Sequence, residues 1–302
     1  MKNIFIISFL FTVNLFSVRA DKPFLIRTFP ASSITAVEVS TIGGDITING
    51  DAGSEAVVEV YISRNKYLSD EQIKQAIEEH YNINIYVENE KLYAMIEMKT
   101  NRGTQFDVSF KINVPKHIIS DLTSMGGDIL LNNLSGSLHF RTMSGSLTIE
   151  NVSGIISGST LSGNITVTNS KDDIVLSALS GNITAKDCDG NIILNTLDGS
   201  INVKMKSVNE YVKLSTTGDI SLSLPAEKGY SIKAYANKIE TSGFKDFSGK
   251  MDKNSIEGIL GNGNAVIEIN NEQLVNNKVR VFNNEGQEEK FVSQGKLSLI
   301  IE

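Results

Sequence analysis

The 302-residue chain has no tryptophan, one cysteine, four prolines and three histidines. With Cys188 alone, a disulfide framework is excluded, so stability has to come from a core and its backbone hydrogen bonds. Cys188 is expected as a small residue turned towards that core and not as a nucleophile. His80, His117 and His139 lie far apart and lack the paired spacing of metal ligands, which leaves them structural or surface roles. Basic residues are in deficit, 28 against 35 acidic, for a net charge of −7. That deficit argues against nucleic acid or an anionic membrane surface as a partner.

Long hydrophobic runs are scarce too. The only one extends from Ile4 to Val18, follows Lys2, and leads into Val18-Arg19-Ala20 before Asp21. This pattern reads as an export signal over residues 1–20. The run is short for a spanning helix, so no membrane span is expected after cleavage. No cysteine lies at the cleavage point to carry a lipid anchor. Without Lys2 and Arg19 the mature chain keeps 26 basic against 35 acidic residues, a net charge of −9.

What the chain has is glycine on a lattice. Gly127, Gly136, Gly145, Gly154, Gly163, Gly181, Gly190 and Gly199 keep a nine-residue spacing, and Asp172 fills the missing position. Most follow a small residue, and a short apolar alternation follows each, so the chain turns, runs a strand and turns again in register. Alternate units differ, which makes the true period eighteen. Met125 to Asn133 returns as Met143 to Asn151, then as Leu161 to Asn169, Leu179 to Asp187 and Leu197 to Met205.

Stacking at that period aligns Ile129, Leu147, Ile165, Ile183 and Ile201 in one column. Leu131, Ile149, Val167, Ala185 and Val203 form a second, and Leu138, Ile156, Ile174 and Ile192 a third. These are inward positions of successive parallel strands; Thr148, Thr166, Thr184 and Lys204 point outward. Gly158 shares a column with Phe140, Leu176 and Leu194, and is expected to leave room for the Phe140 ring. Asn133, Asn151, Asn169 and Asp187 share a turn position and are expected to hydrogen-bond along the stack as an amide ladder.

The expected fold is therefore all-β, a right-handed parallel β-helix (a β-solenoid) with about 18 residues per coil, since parallel crossovers favour that hand. Residues 121–302 form the solenoid and a C-terminal cap, with about five regular coils making a rod of roughly 25 Å. The lattice slips one residue between Gly199 and Gly218. Residues 21–120 form an N-terminal β region and cap with a helix near 69–80, signalled by Ser69 and Gln72 as a capping box and by Leu68 and Ile73 as a staple. Thr41 to Ile48 repeats Ser124 to Leu131, which starts the first coil near Thr41 and makes residues 51–120 an insertion over one end.

Val114-Pro115 leading to Gly126-Gly127-Asp128-Ile129, the units Ser162-Gly163-Asn164-Ile165-Thr166 and Ser180-Gly181-Asn182-Ile183-Thr184, and Gly258-Ile259-Leu260-Gly261-Asn262-Gly263 resemble a known family. It is the bacterial putative-adhesin family, domain of unknown function 4097. The resemblance covers most of the mature chain and implies an exported, β-helical, envelope-associated protein.

Chemistry is sparse. Gly-Gly-Asp occurs only at Gly43 to Asp45 and Gly126 to Asp128, whereas calcium-binding nonapeptides repeat their motif in every unit. The glycine turns open strands with no helix or lysine behind them, so they are not phosphate loops. The best cluster of charges is Lys171, Asp172, Asp173, Lys186, Asp187 and Asp189, and two such carboxylates could serve a glycan hydrolase as acid and base. Their lattice positions explain them as solvated turns instead. No catalytic, cofactor-binding or metal residue and no cofactor is expected. The expected function is a noncatalytic binding scaffold in the cell envelope, periplasm or extracellular space, with a protein or glycan surface as partner. The alternatives are a polysaccharide-processing enzyme and a structural protein of envelope assembly.

Overall fold

The computed structural model describes residues 22–63, 68–99, 106–226, 229–271 and 296–301, and every structural statement below concerns these. The export signal lies outside them. The described chain is all-β but for the helix Asp70–His80 and a single turn of 3₁₀ helix, and its strands belong to one large sheet that winds around a core.

The strand Ser135–Thr142 shows how the repeat folds. It pairs in parallel with His117–Ser124 on one side and Ser153–Ser162 on the other, and Lys171–Ser180 and Ile183–Asp198 follow. Register partners such as Gly154 and Asp172 lie 18 residues apart. A second wall stacks Ile46–Asn49, Ile129–Asn132, Leu147–Glu150 and Ile165–Thr168. The long strands Ile183–Asp198 and Ile201–Ser215 bend through both walls, with bulges between Lys186 and Ile192.

Alternation buries one side of each wall. Ile129, Leu147, Ile165, Ile183 and Ile201 are all buried, as are the Leu131 and Leu138 columns. Each such side chain contributes about 1.5–3 kcal/mol of burial. A column of buried hydroxyls runs beside them. Thr142 Oγ1 donates to the Gly127 carbonyl at 3.0 Å, Thr160 to Gly145 at 2.9 Å, and Thr196 to Gly181 at 2.9 Å. Ala178 stands in this column between Thr160 and Thr196 without a hydroxyl.

The N-terminal end departs from a simple cap. Ala36–Thr41 and Ile46–Asn49 pair with His117–Ser124 and Ile129–Asn132, which sets Thr41 opposite Ser124 and Ile48 opposite Leu131. Lys91–Met98 and Val108–Asn113 then add one more parallel layer. Part of residues 51–120 thus extends the stack, and the boundary drawn at residue 120 falls inside the strand His117–Ser124. The antiparallel strands Glu55–Ile62, Leu25–Pro30 and Tyr81–Glu88 complete that end. The helix carries its capping box, with Gln72 N–H donating to Ser69 Oγ and Ser69 N–H to Gln72 Oε1, and it buries Ile73 and Ile77.

The C-terminal end does not follow chain order. Ala265–Asn270 is inserted between Ile201–Ser215 and Tyr230–Tyr235, and Lys296–Ile301 between Ile220–Leu224 and Lys238–Ser242. Glu240 accepts Lys238 of its own strand at 2.8 Å and Lys296 across that last pair at 2.6 Å, and the two ammonium groups hold its carboxyl down at about 2.

Candidate functional site

Outward positions of the first wall form one continuous face. Across the middle layers its columns read His139, Ser157, Val175 and Ile193, and Arg141, Ser159, Ser177 and Asn195. Beyond Lys171 and Asp173 at the start of the second strand, the layers Ser153–Ser162 and Lys171–Ser180 carry only serine and aliphatic side chains there. Farther along, the middle column becomes Lys213, Glu268, Lys233 and Glu257, alternating in charge strand by strand. An uncharged window therefore lies between charged ends, on a chain of net charge −7.

One margin of the window is a ridge. Met125, Met143, Leu161, Leu179 and Leu197 stand in consecutive layers at relative exposures of 51%, 47%, 49%, 51% and 59%. Each lies within one residue of its strand's end and follows a buried small side chain, Ser124, Thr142, Thr160, Ala178 or Thr196, so alternation turns it outward two residues before the lattice glycine. Parallel layers are about 4.8 Å apart, so the ridge extends about 20 Å. Gly126, Ser144, Ser162 and Ser180 border it, exposed and small. Scattered exposed apolar residues are ordinary; five in a line are not. The sequence shows these residues only as the first of each repeat unit, and their exposure is the signal that sequence reasoning missed.

The turns explain the polar residues. Asn133, Asn151, Asn169 and Asp187 all have φ between 50° and 56°, the left-handed conformation that Asn and Asp tolerate best. The expected amide ladder is partly formed: Asn169 Nδ2 donates to Asn151 Oδ1 at 2.7 Å, but Asn151 Nδ2 turns to Asn132 Oδ1 at 3.1 Å. A second ladder, not foreseen, runs along the Gly-Gly-Asp position. Asp45 Oδ1 accepts the Asp128 N–H at 2.9 Å, Asp128 Oδ1 the Ser146 N–H at 2.7 Å, and Asn164 and Asn182 continue it to Ser200. These oxygens cap backbone groups of the next layer.

The charged cluster is spread along strand starts and turns. Asp172 sits in the glycine column between Gly154 and Gly190 with φ 79°, and its Oδ2 accepts the Gly154 N–H at 2.9 Å. Asp173 accepts Asn191 Nδ2 at 2.9 Å, and Asp189 accepts the Ser207 hydroxyl. Lys171 lies opposite Asp189, whereas Lys186 belongs to the second wall opposite Thr168 and Lys204. His117 Nδ1 lies 3.3 Å from Ser135 Oγ, His139 faces outward between Asp121 and Ser157, and His80 ends the helix. Among the described residues no three His, Cys, Asp or Glu side chains converge for a metal ion.

Cys188 is fully buried, its Sγ 3.6 Å from the Lys186 carbonyl, and burial pushes its thiol up to about 11. A thiol held that far above neutral pH is a poor nucleophile. No helix among the described residues is long and apolar enough to cross a membrane.

Among curated proteins nothing matches the chain. A solved structure of a putative cell adhesion protein from Clostridium sporogenes shares 14% identity with it, covers 93% of this chain and 100% of its own, and superposes with a TM-score of 0.27. The family match is extensive: the Toastrack DUF4097 model spans residues 34–273, which takes in most of both walls and all of the ridge, and the chain belongs to that family.

Proposed function

We propose that this protein is a noncatalytic binding scaffold, exported to the cell envelope or beyond, that presents its rigid outer wall to a protein or glycan surface. In this reading the wall is a right-handed parallel β-helix of about 18 residues per coil, the hand that parallel crossovers favour. The observation that carries the proposal is the ridge of Met125, Met143, Leu161, Leu179 and Leu197, half-exposed beside an uncharged serine window. Apolar side chains lined up in water are costly unless something covers them, and a rigid lattice holds them in line without the cost of ordering a backbone on binding. The polar groups of the turns are engaged by neighbouring layers, which supports a scaffold over an enzyme.

The test uses purified mature protein and envelope fragments of the source cells. Binding should be saturable in the wild type and lost in a Leu161→Asp, Leu179→Asp variant that keeps the wild-type melting midpoint. Undiminished binding by that variant would remove the ridge from the proposal.

A further inference from the structure

The charged end of the wall has a symmetry of its own. Lys213, Glu268, Lys233 and Glu257 occupy one outward column on successive strands, Ile201–Ser215, Ala265–Asn270, Tyr230–Tyr235 and Ser255–Leu260. Lys250 continues the alternation on the outermost strand, Phe247–Met251. Lys213 and Glu268 pair within the chain at 2.9 Å, and the column of Lys213 to Glu257 sums to zero. On a chain of net charge −7, such a neutral patch is where a like-charged molecule can approach. Beside it Val266 and Ile259 are 40% and 48% exposed, in one column with Tyr211 and Ser231.

We infer that this end of the wall is an interface between two copies of the chain, packed face to face with their stacks antiparallel. A two-fold axis along the strands, midway between Ala265–Asn270 and Tyr230–Tyr235, reverses the order of layers and keeps each column opposite itself. Lys213 then meets the second copy's Glu257, Glu268 meets the second copy's Lys233, and the symmetry repeats both contacts. Ile259 meets the second copy's Tyr211 in the same way, and Val266 its Ser231. An axis along the stack would set Lys on Lys and Glu on Glu, so the column selects one orientation. The overlap takes in six strands, from Ile183–Asp198 to Phe247–Met251, and measures about 29 Å by about 20 Å. Over two copies that covers about 1,200 Å², the lower limit of standard interfaces, so the dimer is weak and, with exposed ion pairs, sensitive to salt. The ridge layers from Met125 to Leu179 lie outside the overlap, so this inference and the proposal for the ridge stand or fall separately.

The experiment is sedimentation velocity of the whole mature protein over a concentration series, at about 50 mM and about 500 mM salt. The wild type should show a reversible monomer–dimer equilibrium that weakens about tenfold at the higher salt. Glu268→Lys sets lysine against the second copy's Lys233, and Lys233→Glu sets glutamate against its Glu268. Each variant alone should stay monomeric, with a melting midpoint close to that of the wild type because both side chains are exposed. Mixed in equal amounts, the two variants should dimerise again, since every opposed position is once more Lys on Glu. A wild type that stays monomeric throughout overturns the inference. So does a dimer that either variant leaves intact, or a mixture of the two that does not associate.

Discussion

Gly158 lies directly opposite Phe140 in the parallel register, and the Phe140 ring fills the volume that a side chain at 158 would need. The neighbouring layers put Leu176 and Leu194 in the same column, so the core there is large, nothing, large, large. Gly158→Leu should therefore destabilise the fold by about 1–3 kcal/mol through overpacking. Phe140→Leu should recover part of that loss in the double variant, because the two positions share one space. Thermal denaturation of the three variants is the check; strictly additive losses would show that the two positions do not compete.

The buried hydroxyl column predicts a stabilising change. Thr160→Val removes the donor to the Gly145 carbonyl and should cost about 1 kcal/mol. Ala178→Thr places a hydroxyl where both register neighbours, Thr160 and Thr196, already carry one. It should donate to the Gly163 carbonyl and gain about 0.5–1.5 kcal/mol. Denaturant midpoints of both variants measure this, and a loss of stability in Ala178→Thr would contradict it.

Alkaline pH should loosen the fold at two identifiable groups. Burial raises the Cys188 thiol from 9.0 to about 11 and the Tyr230 phenol from 10.0 to about 12, and the phenol donates to the Pro225 carbonyl at 2.6 Å. Both groups stay protonated in the fold at a pH where the unfolded chain has already released the proton. Their contributions are complete below the unfolded value and are lost as pH rises, between about 9 and 11 for Cys188 and about 10 and 12 for Tyr230. Denaturant midpoints should fall over this window, less steeply in Cys188→Val at its lower end and in Tyr230→Phe at its upper end. Identical slopes in all three proteins would contradict the assignment.

Asp172 tests whether lattice position explains the charged cluster. Its φ of 79° is one a glycine takes freely and a Cβ resists, by about 1–2 kcal/mol for most residues. Asp172→Ala should thus be less stable than Asp172→Gly. Neither the wild type nor Asp172→Asn or Asp187→Asn should release reducing ends from acidic or neutral polysaccharides. Turnover by the wild type that vanishes in either variant would promote the enzyme alternative.

The inward columns were legible because two periods coincide in the residues themselves: Ile129, Leu147 and Ile165 repeat every eighteen, and alternation separates them from Thr148 and Thr166. The Ser69 cap was equally legible, since its partner Gln72 is local. Stack order at the C-terminal end was not. Alternation in Ala265–Asn270 states that a strand exists and is silent on which neighbours it slides between. The ridge was hidden for another reason. Alternation sets Met143 and Leu161 outward after the inward Thr142 and Thr160, but with a polar side chain buried and an apolar one exposed, hydropathy at this place reads the wrong way round. Asp128 stands out in the sequence only as part of a calcium-like motif that is set aside, and its actual role stays hidden because its ladder partner, the Ser146 N–H, is a backbone group that no motif records.

The ridge can be observed directly through its own methionines. Met125 and Met143 lie on it at 51% and 47% exposure, Met251 is 43% exposed off it, and Met205 is 4% exposed in the core. With methionine methyls labelled with carbon-13 and assigned by Met→Leu substitution, envelope fragments are added and each resonance is followed. The account predicts that the Met125 and Met143 signals shift or broaden with saturation while Met251 and Met205 hold still. A response at Met251, with Met125 and Met143 unchanged, would contradict it.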